Sequence, residues 1–191
     1  MLKSLIALLC CLSMSGCGEG ELEVSPGGEV LPPLTGPEYE VADTYTGFRE
    51  LILDLKPDEI GFEGGATDVF ALLMEIGYEE HAVTLASTSD GSASLYFSGG
   101  GAILGSGRQE AVSKVSKGLI EGSQKFLTHF TLVSDYPLPP AGQVHFYLVT
   151  PGGVYSARDD EQELGFERSS LSPLFYLGQD LITEIRKVNE G

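Results

Sequence analysis

The sequence predicts an α+β domain in which helices pack on a single, mostly antiparallel sheet. Three observations favour this class: apolar residues at helical spacing near both ends of the domain, two pairs of alternating segments that turn at Asp-Gly and Pro-Gly-Gly, and an amphipathic stretch between those pairs. The predicted order is helix, helix, hairpin, helix, hairpin, helix. At 191 residues the chain suits one such domain, which we place at residues 41–191.

The first half of the domain is predicted to contain two helices and a hairpin. Apolar residues three and four positions apart indicate the helices, whereas alternation of apolar and polar residues indicates the strands. An Asp-Gly pair tolerates positive φ and predicts a tight turn between the strands. In chain order the elements are a helix over Thr44–Leu55, a helix from Thr67 or Asp68 to Gly77, a strand around Val83–Ala86, a turn at Ser89-Asp90-Gly91 and a strand over Ala93–Phe97.

The second half is predicted to contain a long helix, a hairpin and a final helix. Ser106 and Gln109 have the spacing of a capping box at the start of the long helix. Ser172 followed by Pro173 is a start signal for the last helix. In chain order the elements are a helix over Arg108–Leu127, an extended segment at Thr131–Val133, a proline-rich connector at Tyr136–Gly142, strands over Val144–Val149 and Val154–Ala157, an acidic loop over Asp159–Arg168 and a helix from Ser172.

The N-terminus has the pattern of a secretory signal, with Lys3, an apolar run over Leu5–Leu12 and small residues before a cysteine. The run is shorter than the ~20 apolar residues that a transmembrane helix needs. The stretch Ser15-Gly16-Cys17 resembles the lipobox of bacterial lipoproteins. This resemblance implies that residues 1–16 are a signal peptide and that Cys17 becomes the acylated first residue of the mature chain. The alternative is an ordinary signal peptide with a coincidental cysteine.

The lipobox resemblance also implies a location. Acyl chains on Cys17 would hold the protein on a membrane of the bacterial cell envelope, because each buried methylene contributes about 0.8 kcal/mol. Gly18 follows the cysteine where aspartate would signal retention, which implies the outer membrane if the host is Gram-negative. Residues 17–40 are rich in Gly, Pro and Glu without an apolar period, and we expect a disordered tether there.

The chain is strongly acidic, with a formal net charge of −17. We therefore expect no nucleic-acid partner, because an acidic surface cannot neutralise a phosphate backbone. The cysteines are Cys10, Cys11 and Cys17, of which two lie in the predicted signal and the third is the predicted lipid site. The folded part therefore has no cysteine for a disulfide, a metal site or a nucleophile.

The stretch Gly99–Gly107 is the candidate ligand site, because it links a predicted strand to a predicted helix start. Free amides and the helix dipole at such a position attract anions, and Arg108 is the nearby cation. The alternative interpretation is a sheet edge leading into a capped helix, which can also accept a partner strand. A Walker phosphate loop is excluded, because Ser106 stands where its lysine must be. The candidate ligand-binding residues are Gly100, Gly101, Gly105, Ser106 and Arg108.

The rest of the sequence predicts no catalytic residue, no metal centre and no cofactor. His81, His129 and His145 lie on separate elements without metal-ligand spacing. The sequence contains no G-x-S-x-G motif of a serine hydrolase. Several acidic positions are interpreted as solvated surface, namely Glu75, Glu79, Glu80 and Asp159–Glu163.

The element order resembles the roadblock/longin group of profilin-like domains, in which a helix joins two strand groups of one sheet. The resemblance covers about Val69–Val188 and implies that fold, whose members commonly dimerise through helix or sheet faces. Separately, three blocks are similar to a family of uncharacterised bacterial proteins, which brings no activity with it. The blocks are Met74–Tyr78, Ser94–Gly101 and Leu171–Tyr176.

Two main hypotheses for function follow. The first is a non-enzymatic, membrane-tethered interaction module that binds an unknown protein partner or a second copy of itself. The alternative is a sensor lipoprotein that binds a small ligand or an anion at Gly99–Gly107. A hydrolase of the cell envelope is a third hypothesis, for which the sequence offers no candidate catalytic residue.

Overall fold

Two groups of antiparallel strands meet at the centre of one seven-stranded sheet in the computed structural model, which describes residues 38–190. The strands are β1 Ala71–Gly77, β2 Ala82–Thr88, β3 Ala93–Phe97, β4 Ala102–Ile103, β5 Thr131–Val133, β6 Gln143–Thr150 and β7 Gly153–Asp160. Their order in the sheet is β4-β3-β2-β1-β6-β7-β5, and each neighbouring pair is antiparallel. The predicted α+β class with one antiparallel sheet is confirmed.

Helices lie before, between and after the strand groups. Short 3₁₀ helices lie at Pro57–Ile60 and Ser106–Arg108, and a third at Gln124–His129 continues α2. The α-helices of the described residues are α1 Asp43–Leu53, α2 Glu110–Ser123, α3 Glu161–Gly165 and α4 Ser172–Glu190.

The helices α2 and α4 cover one face of the sheet and form the larger hydrophobic core. Alternate residues of the strands supply its sheet side, among them Met74, Leu85 and Phe146, and the helices supply Leu119 and Leu181. Burial of such a side chain contributes about 1.5–3 kcal/mol. The apolar stripes predicted for the second half of the chain therefore do face the sheet.

The opposite face of the sheet is covered by α1, the Pro57–Ile60 turn and the proline-rich connector. Leu53 of α1 packs in a buried cluster with Phe70, Leu73 and Tyr147. A neighbouring cluster contains Tyr45 of α1 with residues of β2 and β3. Because helices or connecting segments cover both faces, the middle of the sheet has no solvent-facing side.

The predicted second helix, from Thr67 or Asp68 to Gly77, is wrong, because this stretch forms β1 at the centre of the sheet. All seven residues of β1 are buried. A strand covered on both faces reads as a continuous apolar run, which apolar spacing alone does not distinguish from a buried helix. The misleading feature was the spacing of Val69, Leu72 and Ile76, which fits a helix equally well.

Helix α1 is confirmed within two residues at its end, but its buried face differs from the predicted one. The apolar spacing that predicts this helix places Leu51 on its buried face with Phe48, Ile52 and Leu55, but Leu51 is 66% exposed. The side chains that face the sheet are Tyr45, Arg49 and Leu53. Polar contacts of the first two, described below, set the rotation of this helix.

Two local predictions in the second half are also wrong. The Ser106–Gln109 capping box does not form, because Ser106 starts a 3₁₀ turn and Gln109 precedes α2 without a side-chain cap. The predicted acidic loop begins instead as the end of β7 and continues as α3. Asp160 caps this short helix, since its carboxylate accepts from the backbone N–H groups of Gln162 and Glu163.

The other predicted elements are confirmed. The Asp-Gly turn joins β2 to β3, and Gly91 has a φ of 92°. The Pro-Gly-Gly turn joins β6 to β7, and the connector at 136–142 contains no strand. Helix α4 starts at Ser172, with Leu174, Leu181 and Ile185 buried.

The predicted signal peptide, Cys17 and residues 17–37 of the predicted tether lie outside the described residues. Tyr39, in the last part of that predicted tether, is buried and donates a hydrogen bond to the Pro139 carbonyl at 2.8 Å. Within residues 38–190, the helices are all too short or too polar to cross a membrane.

Candidate functional site

The structure divides the predicted Gly99–Gly107 site between two turns. Gly100, with a φ of 97°, lies in the tight turn between β3 and β4, where its N–H donates to the Phe97 carbonyl. A side chain there would press against Ala42 and Thr44 at the start of α1. The Gly100 turn is thus shaped by the approach of α1.

The second part of the predicted site follows β4. Gly105 has a φ of 67°, and its N–H lies 3.3 Å from the Ser94 hydroxyl. Ser106 is buried, whereas Arg108 is exposed at the end of the 3₁₀ turn. Gly101 precedes the two-residue strand β4, at one edge of the sheet. Ligand binding at these residues stays a prediction.

A row of polar side chains crosses the sheet on its α1 face. Residues that pair directly on antiparallel strands point to the same face, so the strand register aligns one residue from each of five strands. From β3 to β7 the row is Tyr96, Thr84, Glu75, His145 and Arg158. Sequence reasoning missed this row because it placed Glu75 at a solvated helix end.

Arg49 of α1 pairs with Glu75 at the middle of the row. Its Nε and Nη2 atoms donate to the two carboxylate oxygens at 2.5 and 3.1 Å, and Nη2 also donates to the Tyr136 carbonyl at 2.6 Å. The Glu75 side chain is 0% exposed. A two-point bond between a guanidinium and a carboxylate has fixed geometry, so this pair determines where α1 sits on the sheet.

A second polar contact holds the beginning of α1. The hydroxyls of Tyr45 and Thr84 are 2.6 Å apart. Tyr45 is buried, and its ring packs in the same cluster as Tyr96 of β3. Helix α1 is therefore attached to the sheet through Tyr45 and Arg49, one turn apart.

The proline-rich connector accepts hydrogen bonds from the same face of the sheet. Prolines lack an N–H group, so their carbonyls are the polar atoms to be satisfied. The Pro137 carbonyl accepts from the Tyr147 hydroxyl at 2.6 Å and from Nδ1 of His145 at 3.0 Å. Because a carbonyl only accepts, His145 carries its proton on Nδ1. Its Nε2 atom is buried and has no hydrogen-bond partner among the described residues.

Burial has the largest effect on the pKa values of the polar side chains on this face of the sheet. It lowers the pKa of His145 to about 4 and raises the pKa of Tyr45 and Tyr147. Burial also raises the pKa of the Glu75 carboxyl, and the charge and hydrogen bonds of Arg49 act in the opposite direction. At neutral pH the imidazole and both phenols are therefore uncharged.

The polar row is better suited to holding α1 and the connector on the sheet than to transferring protons. A general base needs a free lone pair within reach of a substrate. The Glu75 carboxylate instead binds Arg49 with both oxygens and has no exposed surface. The polar row thus fastens α1 and the connector to the sheet.

A different feature lies on the outside of the opposite layer, where α2 and α4 meet. An open groove of about 410 Å³ runs between the end of α2 with its 3₁₀ continuation and the first turns of α4. We call it the α2–α4 groove. Its lining is formed by Gly122, Lys125, Phe126, Pro173, Tyr176, Leu177 and Asp180.

Close helix packing shapes the floor of the groove. A Cβ atom at Gly122 would lie 2.8 Å from a methyl carbon of Leu177, so the absence of a side chain at Gly122 leaves room for Leu177 to pack directly on α2. Tyr176 is 39% exposed, and its hydroxyl donates to the Gly165 carbonyl at 2.6 Å. The neighbouring Phe166 is 65% exposed. The groove is thus continuous with exposed aromatic surface.

The chain matches no protein-family model, no curated protein and no solved structure.

The histidines remain apart in the fold. His145 lies in the buried row, whereas His81 stacks on Tyr78 in the turn before β2, and His129 ends the 3₁₀ helix after α2. Over residues 38–190, no three histidine, cysteine or acidic side chains come together as metal ligands would.

Proposed function

We propose that the protein is a lipid-anchored, non-enzymatic interaction module of the bacterial cell envelope, and that it binds a protein through the α2–α4 groove. The observation that carries this proposal is the open apolar groove beside the exposed rings of Tyr176 and Phe166. Aromatic side chains that are partly exposed around an apolar groove are typical of protein interfaces, because their burial removes them from water.

The rest of the fold supports this choice of surface. The α1 face of the sheet is already covered, and its Glu75 and Tyr147 side chains are bonded to α1 and to the connector. Both edge strands, β4 and β5, are only two and three residues long. Short edges offer little backbone for pairing with another chain, so the helical layer is the better docking surface.

The proposal includes a likeness to roadblock and longin domains, in which helix faces commonly mediate dimerisation. Its support is the position of α2, which joins the strand group β1–β4 to the group β5–β7. The likeness concerns architecture and adds no residue-level role.

The anchor is tested by metabolic labelling with a fatty-acid analogue. We expect wild-type protein to carry label and to sediment with membranes, and the Cys17→Ser variant to carry none and to leave the membrane fraction. An unlabelled wild-type protein that keeps residues 1–16 would refute the anchor. Label that persists in the Cys17→Ser variant would assign it to another residue.

The groove is tested by crosslinking in intact cells. Tyr176→Glu places a charge at the groove without entering the core, and Leu51→Glu makes the same change on exposed surface of α1. We expect crosslinked species that contain this protein to disappear in Tyr176→Glu and to persist in Leu51→Glu. Equal crosslinking in both variants would show that binding, if any, uses another surface.

A further inference from the structure

The proline-rich connector, residues 136–142, is held on the sheet by side chains rather than by a strand ladder. It contains no helix or strand. Segments that few bonds attach open more easily than the strands of a core. The connector is therefore the part of the α1 face that can open without unfolding the sheet. Its carbonyls accept hydrogen bonds from the side chains of Tyr39, Arg49, His145 and Tyr147, and its Gly142 N–H donates to the Gly77 carbonyl.

Among these side chains, His145 is the one that takes up a proton when the pH falls. It is 2% exposed, and its Nδ1 donates to the Pro137 carbonyl at 3.0 Å. A second proton must bind Nε2, which is buried and has no partner among residues 38–190. The new N–H group would have no acceptor in the closed fold, on a ring that then carries a positive charge. Burial of such a group is costly, so the proton favours a state in which Nε2 reaches water.

The charged groups around His145 add to this cost. Arg158 is its register partner on β7, and the charge of Arg49 acts on it from α1. Burial has the largest effect, and together with these two charges it lowers the pKa of His145 to about 4. Glu75 is the register partner on β1, but both of its carboxylate oxygens bind Arg49. The other titratable side chains on neighbouring segments do not bond to Nε2, namely the phenols of Tyr39, Tyr136 and Tyr147 and the exposed carboxylates of Asp135 and Asp160.

We propose that uptake of a proton by His145 releases the connector from the sheet, while α1 and the layer of α2 and α4 stay in place. The connector is the covering segment that bonds to the imidazole ring itself. Helix α1 keeps its two-point bond to Glu75 and the contact between Tyr45 and Thr84, and the buried core beneath α2 and α4 is apolar. Release uncovers His145 and Tyr147, which are buried in the closed form. The fold therefore presents this polar and aromatic surface only in acid, independently of the α2–α4 groove.

Amide hydrogen exchange, resolved for single residues by NMR, tests the release. The protein is expressed as the full chain and purified in the form that the cells make, and the rates are corrected for the intrinsic pH dependence of exchange. The reporter is the Gly142 N–H, which is bonded to the Gly77 carbonyl while the connector is closed. We expect its protection to fall about tenfold for each pH unit between 6.5 and 4, because His145 regains its ordinary pKa in the open state. Amides in the middle of α1 and α4 should exchange roughly a hundredfold more slowly than Gly142 at every pH, because they open only with the whole domain.

His145→Asn keeps a donor for the Pro137 carbonyl but cannot gain a charge. We expect the exchange rate of Gly142 in this variant to change by less than about twofold over the same pH range. His129→Asn is the matched control, because His129 is exposed at the end of the 3₁₀ helix after α2, and it should keep the wild-type dependence. The imidazole nitrogen shifts of the wild type give a measurement that needs no variant. They should show the proton on Nδ1 at pH 7 and a mainly neutral His145 ring at pH 5.

Four outcomes overturn the inference. The first two are a corrected Gly142 exchange rate that does not change with pH and a His145 ring that is already charged at pH 5. The third is a common exchange rate for Gly142 and the two helices, which would mean that the whole domain opens at once. The fourth is a pH dependence that survives in His145→Asn, which would assign the proton to another group such as the buried carboxyl of Glu75.

Discussion

At the scale of single residues, the buried pair of Arg49 and Glu75 is the contact whose loss has the clearest consequence. Glu75→Leu leaves the Arg49 guanidinium buried without its carboxylate. We expect the free energy of unfolding to fall by about 3–5 kcal/mol, as for other buried ion pairs that lose one partner. Urea denaturation of the variant and the wild type measures this change.

The double variant Arg49→Met/Glu75→Leu shows how much of the loss in free energy of unfolding comes from a buried charge without a partner and how much from the ion pair itself. Apolar replacement of both partners removes the charge that must be buried, so we expect the double variant to be more stable than Glu75→Leu alone. If the double variant loses as much free energy of unfolding as Arg49→Met and Glu75→Leu lose together, the assignment of Glu75 and Arg49 to one bonded pair is contradicted.

Because the fold lowers the pKa of His145, we expect the free energy of unfolding to depend on pH. Its pKa is lowered from 6.5 to about 4 in the fold, so the unfolded chain binds more protons between these values. The His145 contribution to stability is therefore complete above pH 6.5 and is lost as the pH falls towards 4, by up to about 1.4 kcal/mol per unit.

His145→Asn keeps a donor for the Pro137 carbonyl but cannot titrate. We expect its free energy of unfolding to vary less between pH 6.5 and 4 than that of wild type, as measured by urea denaturation at several pH values. Identical slopes in the two proteins would show that His145 is already protonated in the fold or is exposed to water.

The sequence does contain one residue-scale signal for this cluster. Glu75 interrupts the apolar run of β1, and a carboxylate inside a buried strand requires a buried cation. The partner itself could not be read from the sequence, because Arg49 lies 26 positions away and looks like any helix surface residue. A helix over this stretch would place Glu75 near its solvated end.

At the scale of elements, Gly77 at the end of β1 permits a close approach of the connector backbone to the strand. A Cβ atom there would overlap the backbone carbonyls of Pro139 and Pro140, and the Gly77 carbonyl accepts the Gly142 N–H. Gly77→Ala must therefore displace backbone, and we expect it to destabilise the protein by about 1–3 kcal/mol.

Gly47→Ala is the matched control, because nothing lies within 4 Å of an added Cβ in the middle of α1. Alanine favours the helix, so we expect a gain of about 0.5–1 kcal/mol in the same thermal or urea unfolding assay. A Gly77→Ala variant that is as stable as Gly47→Ala would mean that the connector is not held against β1.

Which elements could be predicted depends on how many of their faces are covered. Strands β2, β3, β6 and β7 join through turns with their own chemistry, and helices α2 and α4 have one apolar stripe each. Strand β1 is covered on both sides and lacks that contrast, so its spacing misled the prediction. The short helix α3 was missed because its acidic residues look like a loop until Asp160 is recognised as a cap.

At the scale of the whole molecule, the two layers on the sheet have different roles. The α1 layer is fixed by polar contacts, whereas the α2–α4 layer presents apolar and aromatic surface to the outside. The groove could not be predicted from the sequence, since Phe126 and Tyr176 are 50 positions apart and meet only when both helices pack on the sheet. Each of these residues reads in sequence as part of an ordinary amphipathic helix.

In the proposed function, this protein binds another protein chain at the α2–α4 groove. A photo-crosslinking amino acid at position 176, introduced in cells, tests it most directly, with the same amino acid at position 51 as control. We predict a covalent adduct of defined mass from position 176 and none from position 51. No adduct from position 176, or equal adducts from both positions, would contradict the claim.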